Sequence, residues 1–75
     1  MAKANHKVYY RVTNQGSYVE VMLFVIQEFN GEEETLVARQ EGMFDTMEDA
    51  STLIEYLESI GAEIEYVTIG TYTGV

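Results

Sequence analysis

An unbroken apolar run at residues 21–26 is the feature that most constrains the fold of this chain. It lies within the stretch "VEVMLFVIQEF". Successive side chains of a β-strand point to opposite faces of the sheet, so a strand built on this run presents apolar groups on both faces. A chain of 75 residues forms one small domain with little apolar surface to spare. The sequence therefore raises the question of what covers the second face.

Alternating apolar and polar residues predict three strands in the first part of the chain. The strands cover residues 7–13, 19–29 and 35–43. Turn-forming residues separate them, with Gly16 in the first turn and Asn30-Gly31 in the second. Consecutive strands joined by short turns are expected to form an antiparallel meander.

One amphipathic helix of about four turns is predicted next. Asp45 with Glu48, or Thr46 with Asp49, provides a capping pattern at its start, and Gly61 suits the left-handed position after its end. The apolar positions that repeat at helical spacing are Ala50, Leu53, Ile54, Leu57 and Ile60.

A fourth strand is predicted at residues 63–69. The expected fold is therefore α+β, a single domain over residues 1–75 with the element order β-β-β-α-β and the helix packed on one sheet face. Residues 1–6 are expected to be a flexible leader, and residues 70–75 a tail that frays or adds a short edge. The sequence does not indicate which strand pairs with the fourth.

Turn length sets which residues share a face, because directly opposed residues of an antiparallel pair lie on the same side. Two-residue loops at both turns place Arg11 opposite Glu20 and Phe24 opposite Val37. A four-residue loop shifts the register by two and leaves the faces unchanged, whereas a three-residue loop inverts them.

With these registers, one sheet face is apolar and the other is mixed. The face expected to pack on the helix holds Val8, Tyr10, Val12, Val19, Val21, Leu23, Val25, Leu36 and Ala38. The opposite face, here called the open face, holds Lys7, Tyr9, Arg11, Tyr18, Glu20, Met22, Phe24, Ile26, Val37 and Arg39. The predicted oligomer or ligand surface consists of Tyr9, Arg11, Tyr18, Met22, Phe24, Ile26, Val37 and Arg39.

Three interpretations of the open face remain at this point. Residues 70–75 fold back over part of it, or two copies stack these faces in a homodimer in which Arg11 and Arg39 meet the partner's Glu20. In the third interpretation the face binds another molecule, such as a nucleotide or similar small anion stacked on its aromatic rings.

The charge is strongly acidic and unevenly distributed. The chain has a net charge of −9, with a net +2 in residues 1–27 and a net −11 in residues 28–75. This balance argues against binding duplex nucleic acid, which requires clustered Lys and Arg. This acidic charge has two explanations: it keeps the protein soluble, or it forms a surface for a basic protein partner. Carboxylates at helical spacing can also stand in for backbone phosphates, so the candidate acidic surface is Asp45, Glu48, Asp49, Glu55, Glu58, Glu63 and Glu65.

No set of residues in the sequence matches a catalytic or metal site. The chain has no cysteine, and its single histidine, His6, lies in the predicted leader without a neighbouring nucleophile. The Glu32–Glu34 cluster lacks the spacing of a calcium loop. We therefore expect no enzyme activity, no cofactor and no metal. The absence of cysteine favours the cytoplasm, and no apolar run is long enough to cross a membrane.

These features favour a non-catalytic binding or inhibitor protein. An acidic, cysteine-free single domain of this size resembles, in composition, the small proteins that bacteriophages and mobile elements encode to block a host protein. This resemblance implies a host protein as partner, with a basic, nucleic-acid-handling protein as the best electrostatic match. The alternative is a homo-oligomeric module that binds a small anionic ligand on the open face.

Overall fold

The computed structural model describes residues 5–69, which form one four-stranded sheet with a helix on one face. The elements are β1 (Asn5–Asn14), β2 (Val19–Phe29), β3 (Glu32–Phe44), α1 (Met47–Ser59) and β4 (Ile64–Thr68). The predicted α+β fold and the order β-β-β-α-β are confirmed.

The predicted leader and tail fall largely outside the described residues. β1 begins at Asn5, so Asn5 and His6 belong to the strand and not to a leader. The expectations for residues 1–4 and 70–75 concern segments outside the described range.

The order of strands in the sheet is β3-β2-β1-β4. β1, β2 and β3 form the predicted antiparallel meander, whereas β4 runs parallel to β1. A parallel pairing requires a long crossover, and α1 supplies it by carrying the chain from one sheet edge to the other. β4 pairs only with residues 10–14 of β1, so it borders one end of that strand.

The first hairpin has a longer loop than predicted. Gln15 donates its backbone N–H to the carbonyl of Tyr18 at 2.8 Å, and residues 15–18 form a four-residue connection. Arg11 consequently lies opposite Met22, two positions away from the predicted partner Glu20. A shift of two residues preserves the faces, so β1 and β2 present the predicted sides.

The second hairpin has the predicted two-residue turn. Asn30 and Gly31 both have positive φ, 55° and 82°, as a type I′ turn requires. Glu28 lies opposite Glu33, an unfavourable like-charge pair that this two-residue turn sets.

Two irregularities in β3 overturn part of the predicted face assignment. The pairing passes from Ile26–Thr35 to Val25–Val37, which leaves Leu36 as an extra residue on β3. One extra residue inverts the alternation of all following side chains. Val37 and Arg39 therefore lie on the helix side of the sheet and not on the open face.

The same inversion moves Ala38, expected under the helix, to the open face opposite Phe24. A second irregularity at Glu41 restores the original alternation and places Gly42 opposite Val21 on the helix side.

The core lies between α1 and one end of the sheet. Its buried apolar residues are Val12, Val19 and Val21 from the sheet and Ala50, Ile54 and Leu57 from the helix. Gly42 contributes to this packing by having no side chain. A Cβ atom at this position would lie 2.8 Å from the Phe44 ring and 3.4 Å from Leu53.

Both ends of α1 show one of the predicted signals. The Thr46 hydroxyl accepts the backbone N–H of Asp49 at 3.1 Å, and Gly61 follows the helix with a φ of +78°. Ile60, expected on the buried stripe, is 57% exposed because it follows the last helical turn, where the chain leaves for β4.

The sheet extends well beyond the helix. The covered half contains residues 10–14, 19–23 and 40–44 together with β4, and it holds every buried strand residue of the described chain. The extension contains residues 5–9, 24–29 and 32–39. The molecule measures 51 × 31 × 16 Å, and its radius of gyration is 14.8 Å. A compact chain of this length would have a radius of gyration of about 11 Å.

Candidate functional site

The centre of the open face is a stack of aromatic and cationic side chains. The rings of Tyr9 and Phe24, on opposed residues of β1 and β2, lie 5.3 Å apart with 21° between their planes. The guanidinium carbon of Arg11 lies 4.7 Å from the Phe24 ring centre, and the Lys7 ammonium lies 5.4 Å from that of Tyr9. Cations over aromatic faces are stabilising by about 0.5–1 kcal/mol at exposed sites.

Carboxylates near β4 pair with both of these cations. Arg11 Nε donates to Glu65 Oε1 at 2.9 Å, and Lys7 Nζ lies 3.5 Å from Glu63 Oε2. The hydrogen bond with Glu65 is the main reason why the pKa of Arg11 is raised above its usual value. The charges on this face are therefore compensated within the chain.

This arrangement answers the question raised by the apolar run. Met22, Phe24 and Ile26 are half-buried although no helix lies over them. Side chains of β1 lie beside them: the Tyr9 ring stacks on Phe24, the Arg11 guanidinium lies close to the same ring, and Lys7 is paired with Ile26 across the two strands.

A shallow depression of about 270 Å³ lies at the edge of this cluster. Its walls carry two cations and three carboxylates, and its lining residues are Lys7, Tyr9, Arg11, Ile26, Glu33, Glu63 and Glu65.

Five of the eight residues predicted for the oligomer or ligand surface lie together on the open face. They are Tyr9, Arg11, Met22, Phe24 and Ile26. Tyr18 belongs to the loop between β1 and β2. Val37 and Arg39 lie on the other face, where Arg39 Nε donates to Glu41 Oε2 at 2.7 Å.

The predicted acidic surface is divided between the two sides of the molecule. Glu63 and Glu65 lie on the open face in ion pairs. The other five carboxylates belong to α1 or the segment before it, and all are exposed: Asp45, Glu48, Asp49, Glu55 and Glu58. Glu58 Oε2 accepts a hydrogen bond from the Tyr66 hydroxyl at 3.3 Å. Partial desolvation and the charge of Glu58 raise the pKa of Tyr66.

A second uncovered surface, which the sequence did not reveal, lies on the helix side of the extension. Val8, Val25 and Val37 form a row across the three strands, with Val8 54% and Val37 37% exposed. We call this row, together with Phe29, the uncovered helix-side face. Phe29 shares the side of Val25 because the two residues are four positions apart on β2.

The sequence also did not predict two ion pairs, Lys7 with Glu63 and Arg11 with Glu65. Alternating glutamates in the fourth strand are visible in the sequence, but their partners depend on which strand β4 joins. Turn residues in the sequence predict that two strands pair as a hairpin. No comparable local pattern predicts which strand becomes the parallel neighbour after a crossover.

Within residues 5–69, no group of three or more His, Asp or Glu side chains is arranged to hold a metal ion. No helix in the same range is long and apolar enough to span a membrane.

Comparison with known proteins gives no match: no family model fits the chain, and no curated protein and no solved structure is similar to it.

Proposed function

We propose that this chain is a non-catalytic, acidic binding protein that attaches to a basic protein partner through the carboxylates of α1. A nucleic-acid-handling host protein in the cytoplasm is the partner class that best fits the charge, as expected for a phage- or mobile-element-encoded inhibitor. The same chain acts as a homodimer that leaves both helices accessible.

The proposal rests on one observation: carboxylates of the sheet are paired with cations, whereas the carboxylates of α1 are not. The three ion pairs of the described chain join Lys7, Arg11 and Arg39 to carboxylates on or beside the sheet strands. None of them involves a carboxylate of α1. The helix therefore presents exposed negative charge to the solvent without a cation of residues 5–69 against it.

The spacing of these carboxylates suits binding to a partner's surface that normally binds the phosphates of nucleic acid. Glu48 and Glu55 lie two helical turns apart, and Glu55 and Glu58 are one turn apart, about 5–6 Å between Cβ atoms. A row of negative charges at such intervals is attracted by the Lys and Arg side chains that line a nucleic-acid groove, and complementary potentials accelerate association.

The geometry of the open face does not favour the small-anion alternative. Arg39, one of the two arginines predicted for this surface, lies on the opposite face of the sheet. Arg11 is hydrogen-bonded to Glu65, and the adjacent depression is lined by three carboxylates against two cations. An anionic ligand at this position would meet net repulsion.

Affinity capture from the native host tests the proposal when two variants of equal charge are compared. The first neutralises α1 by Glu48→Gln, Asp49→Asn, Glu55→Gln and Glu58→Gln. The second removes the same charge at the hairpin by Glu28→Gln, Glu32→Gln, Glu33→Gln and Glu34→Gln. We expect the helix variant to lose a basic protein that the wild type and the hairpin variant retain, and added nucleic acid to displace that protein.

Equal retention of this protein by both variants would show that α1 is not the binding surface. A thermal shift with millimolar nucleotide is the complementary measurement. Stabilisation by nucleotide that is lost in Arg11→Met would favour the alternative function over the proposed one.

A further inference from the structure

The uncovered helix-side face forms the floor of an apolar groove beside α1. Its central row is Val8, Val25 and Val37, which are paired across the three strands of the meander. Val8 and Val37 are each more than one-third exposed. The buried core under α1 takes its sheet residues from the covered half, so α1 packs next to this row and not on it.

Two contacts show which flank of α1 borders the floor. The Leu53 side chain faces Gly42 of β3, 3.4 Å from the position that a Cβ atom would take there. Glu58 accepts a hydrogen bond from Tyr66 of β4, which lies within the covered half. The flank that carries Glu58 therefore faces away from the extension, and the flank that carries Leu53 faces toward it.

This second flank of α1 is the wall of the groove. Leu53, Tyr56 and Ile60 are spaced by three and four residues, so they lie above one another on the same side. Tyr56 and Ile60 are both more than half exposed. Asp49, four residues before Leu53, adds an exposed carboxylate to the same flank. The wall is apolar near the end of α1 and acidic near its start.

We propose that a basic amphipathic helix of the partner protein docks in this groove, side by side with α1. Its apolar stripe packs on the valine row and on Tyr56 and Ile60, and its Lys and Arg side chains lie toward the carboxylates of α1. Docking of an amphipathic helix in an apolar groove is a common mode of recognition. The inference rests on the proposed function, since it takes the partner to be basic, and it names the element that the partner contributes.

The dimensions of the groove fit one helix. Small domains are built from packed layers, and α1 fills the second layer only over the covered half. The floor runs from Leu23, opposite Tyr10 where β4 begins, to Phe29, a distance of about 20 Å along β2. A helix is about 10–12 Å across with its side chains, and packed helices lie about 8–10 Å apart. A second helix therefore fits beside α1 without entering its space.

Charge favours a basic helix over a second copy of this chain. Arg39 borders the floor on β3, but it is already paired with Glu41 at 2.7 Å. The exposed carboxylates of α1 have no such partner among the described residues, so they attract Lys and Arg on the docked helix. A second copy has a net charge of −9 and would bring its own carboxylates against those of α1.

Two synthetic peptides of the same composition test the shape of the occupant. Each has about 14 residues, or four turns, and equal numbers of Leu and Lys. In the first peptide the leucines recur at helical spacing, and in the second the order gives no apolar stripe. Fluorescence anisotropy with labelled peptide at physiological salt should show that the first binds about tenfold more tightly or better. Equal affinities would overturn the inference, because charge alone would then explain the binding.

Substitutions that leave the charge unchanged locate the contact. Val37→Asn alters the floor, and its matched control Thr35→Asn lies on the other face of β3. Tyr56→Gln alters the wall without disturbing the core, and its control Met47→Gln removes an exposed apolar side chain from the opposite flank of α1. Val37→Asn and Tyr56→Gln should each weaken the helical peptide about fivefold or more, and the controls should not. No loss with Tyr56→Gln would overturn the docking beside α1.

Neutralisation of α1 separates this inference from the proposed function. The variant with Glu48→Gln, Asp49→Asn, Glu55→Gln and Glu58→Gln should bind both peptides more weakly. If it does so while Val37→Asn and Tyr56→Gln bind as the wild type does, the proposed function stands and the groove is not the docking site. The converse result would place binding in the groove and remove the role proposed for the carboxylates.

Sedimentation equilibrium examines the other occupant, a second copy. Val37→Asn should leave the molar mass of the isolated chain unchanged. A wild-type dimer that Val37→Asn and Tyr56→Gln both convert to single chains would overturn the inference, because the groove would then belong to a second copy.

Discussion

The covered half and the extension are built from the same three strands but are stabilised in different ways. In the covered half, Val12, Val19 and Val21 are almost completely buried under α1. Within residues 5–69, no helix lies over the extension, and on its open face the Tyr9 ring stacks on Phe24 with the Arg11 guanidinium beside it. The difference shows that long side chains can partly bury the second apolar face of a strand without a second layer, since Met22, Phe24 and Ile26 are half-buried.

The largest expected difference between the halves concerns core truncation. Leu57→Ala removes a buried side chain and should lower the free energy of unfolding by about 2–5 kcal/mol. Val8→Ala in the extension should cost less than about 1 kcal/mol, because Val8 is already half exposed. Urea denaturation of both variants, at a concentration where the chain is monomeric, measures the contrast. Similar losses would mean that the extension packs as tightly as the covered half.

The next effect concerns the close approach at Gly42. Gly42→Ala drives a methyl group into the Phe44 ring and toward Leu53, with an expected loss of about 1–3 kcal/mol. Phe44→Leu shortens the obstructing side chain, so the double variant should lose less than the sum of the two single variants. Strict additivity in thermal unfolding would contradict the contact.

A smaller effect is expected at the start of the helix that distinguishes the two halves. Thr46→Ala removes the acceptor for the Asp49 N–H and should cost about 1 kcal/mol. Thr52→Ala, at an exposed position within α1, should be neutral or slightly stabilising, because Ala has the higher helix propensity. Equal destabilisation by the two substitutions would argue against the cap.

The smallest effect compares one ion pair from each half. A double-mutant cycle on Arg11 and Glu65 in the covered half should give a coupling of about 0.2–1 kcal/mol after solvent screening. The Lys7–Glu63 pair of the extension is longer and more exposed, and its coupling should be near zero. Urea unfolding at low and high salt measures both cycles. A larger coupling for Lys7–Glu63 would reverse the comparison.

Much of the fold and part of the candidate site could be predicted from local signals. Thr46 and Gly61 marked the ends of the helix, and Asn30-Gly31 marked a hairpin turn, because each of these depends on backbone conformations that few residue types adopt. Tyr9, Arg11 and Phe24 were correctly grouped on one face, since the error in the first loop was an even number of residues.

The predicted positions of Val37 and Arg39 were wrong for a physical reason. A single extra residue in a strand has no compositional signature when all its neighbours are ordinary strand residues, yet it inverts every side chain that follows. The inversion left the open face with one cation fewer and placed Val37 and Arg39 beside Val25 and Leu23 on the helix side.

The sequence by itself determined the elements, their order, the acidic surface of α1 and the apolar groups on both faces of β2, because these follow from periodicity and residue chemistry. The tertiary structure alone decided that β4 lies beside β1, that Glu63 and Glu65 neutralise Lys7 and Arg11, and that the helix covers only half of the sheet. These properties arise from contacts between residues distant in sequence, and no local pattern encodes which distant partners meet.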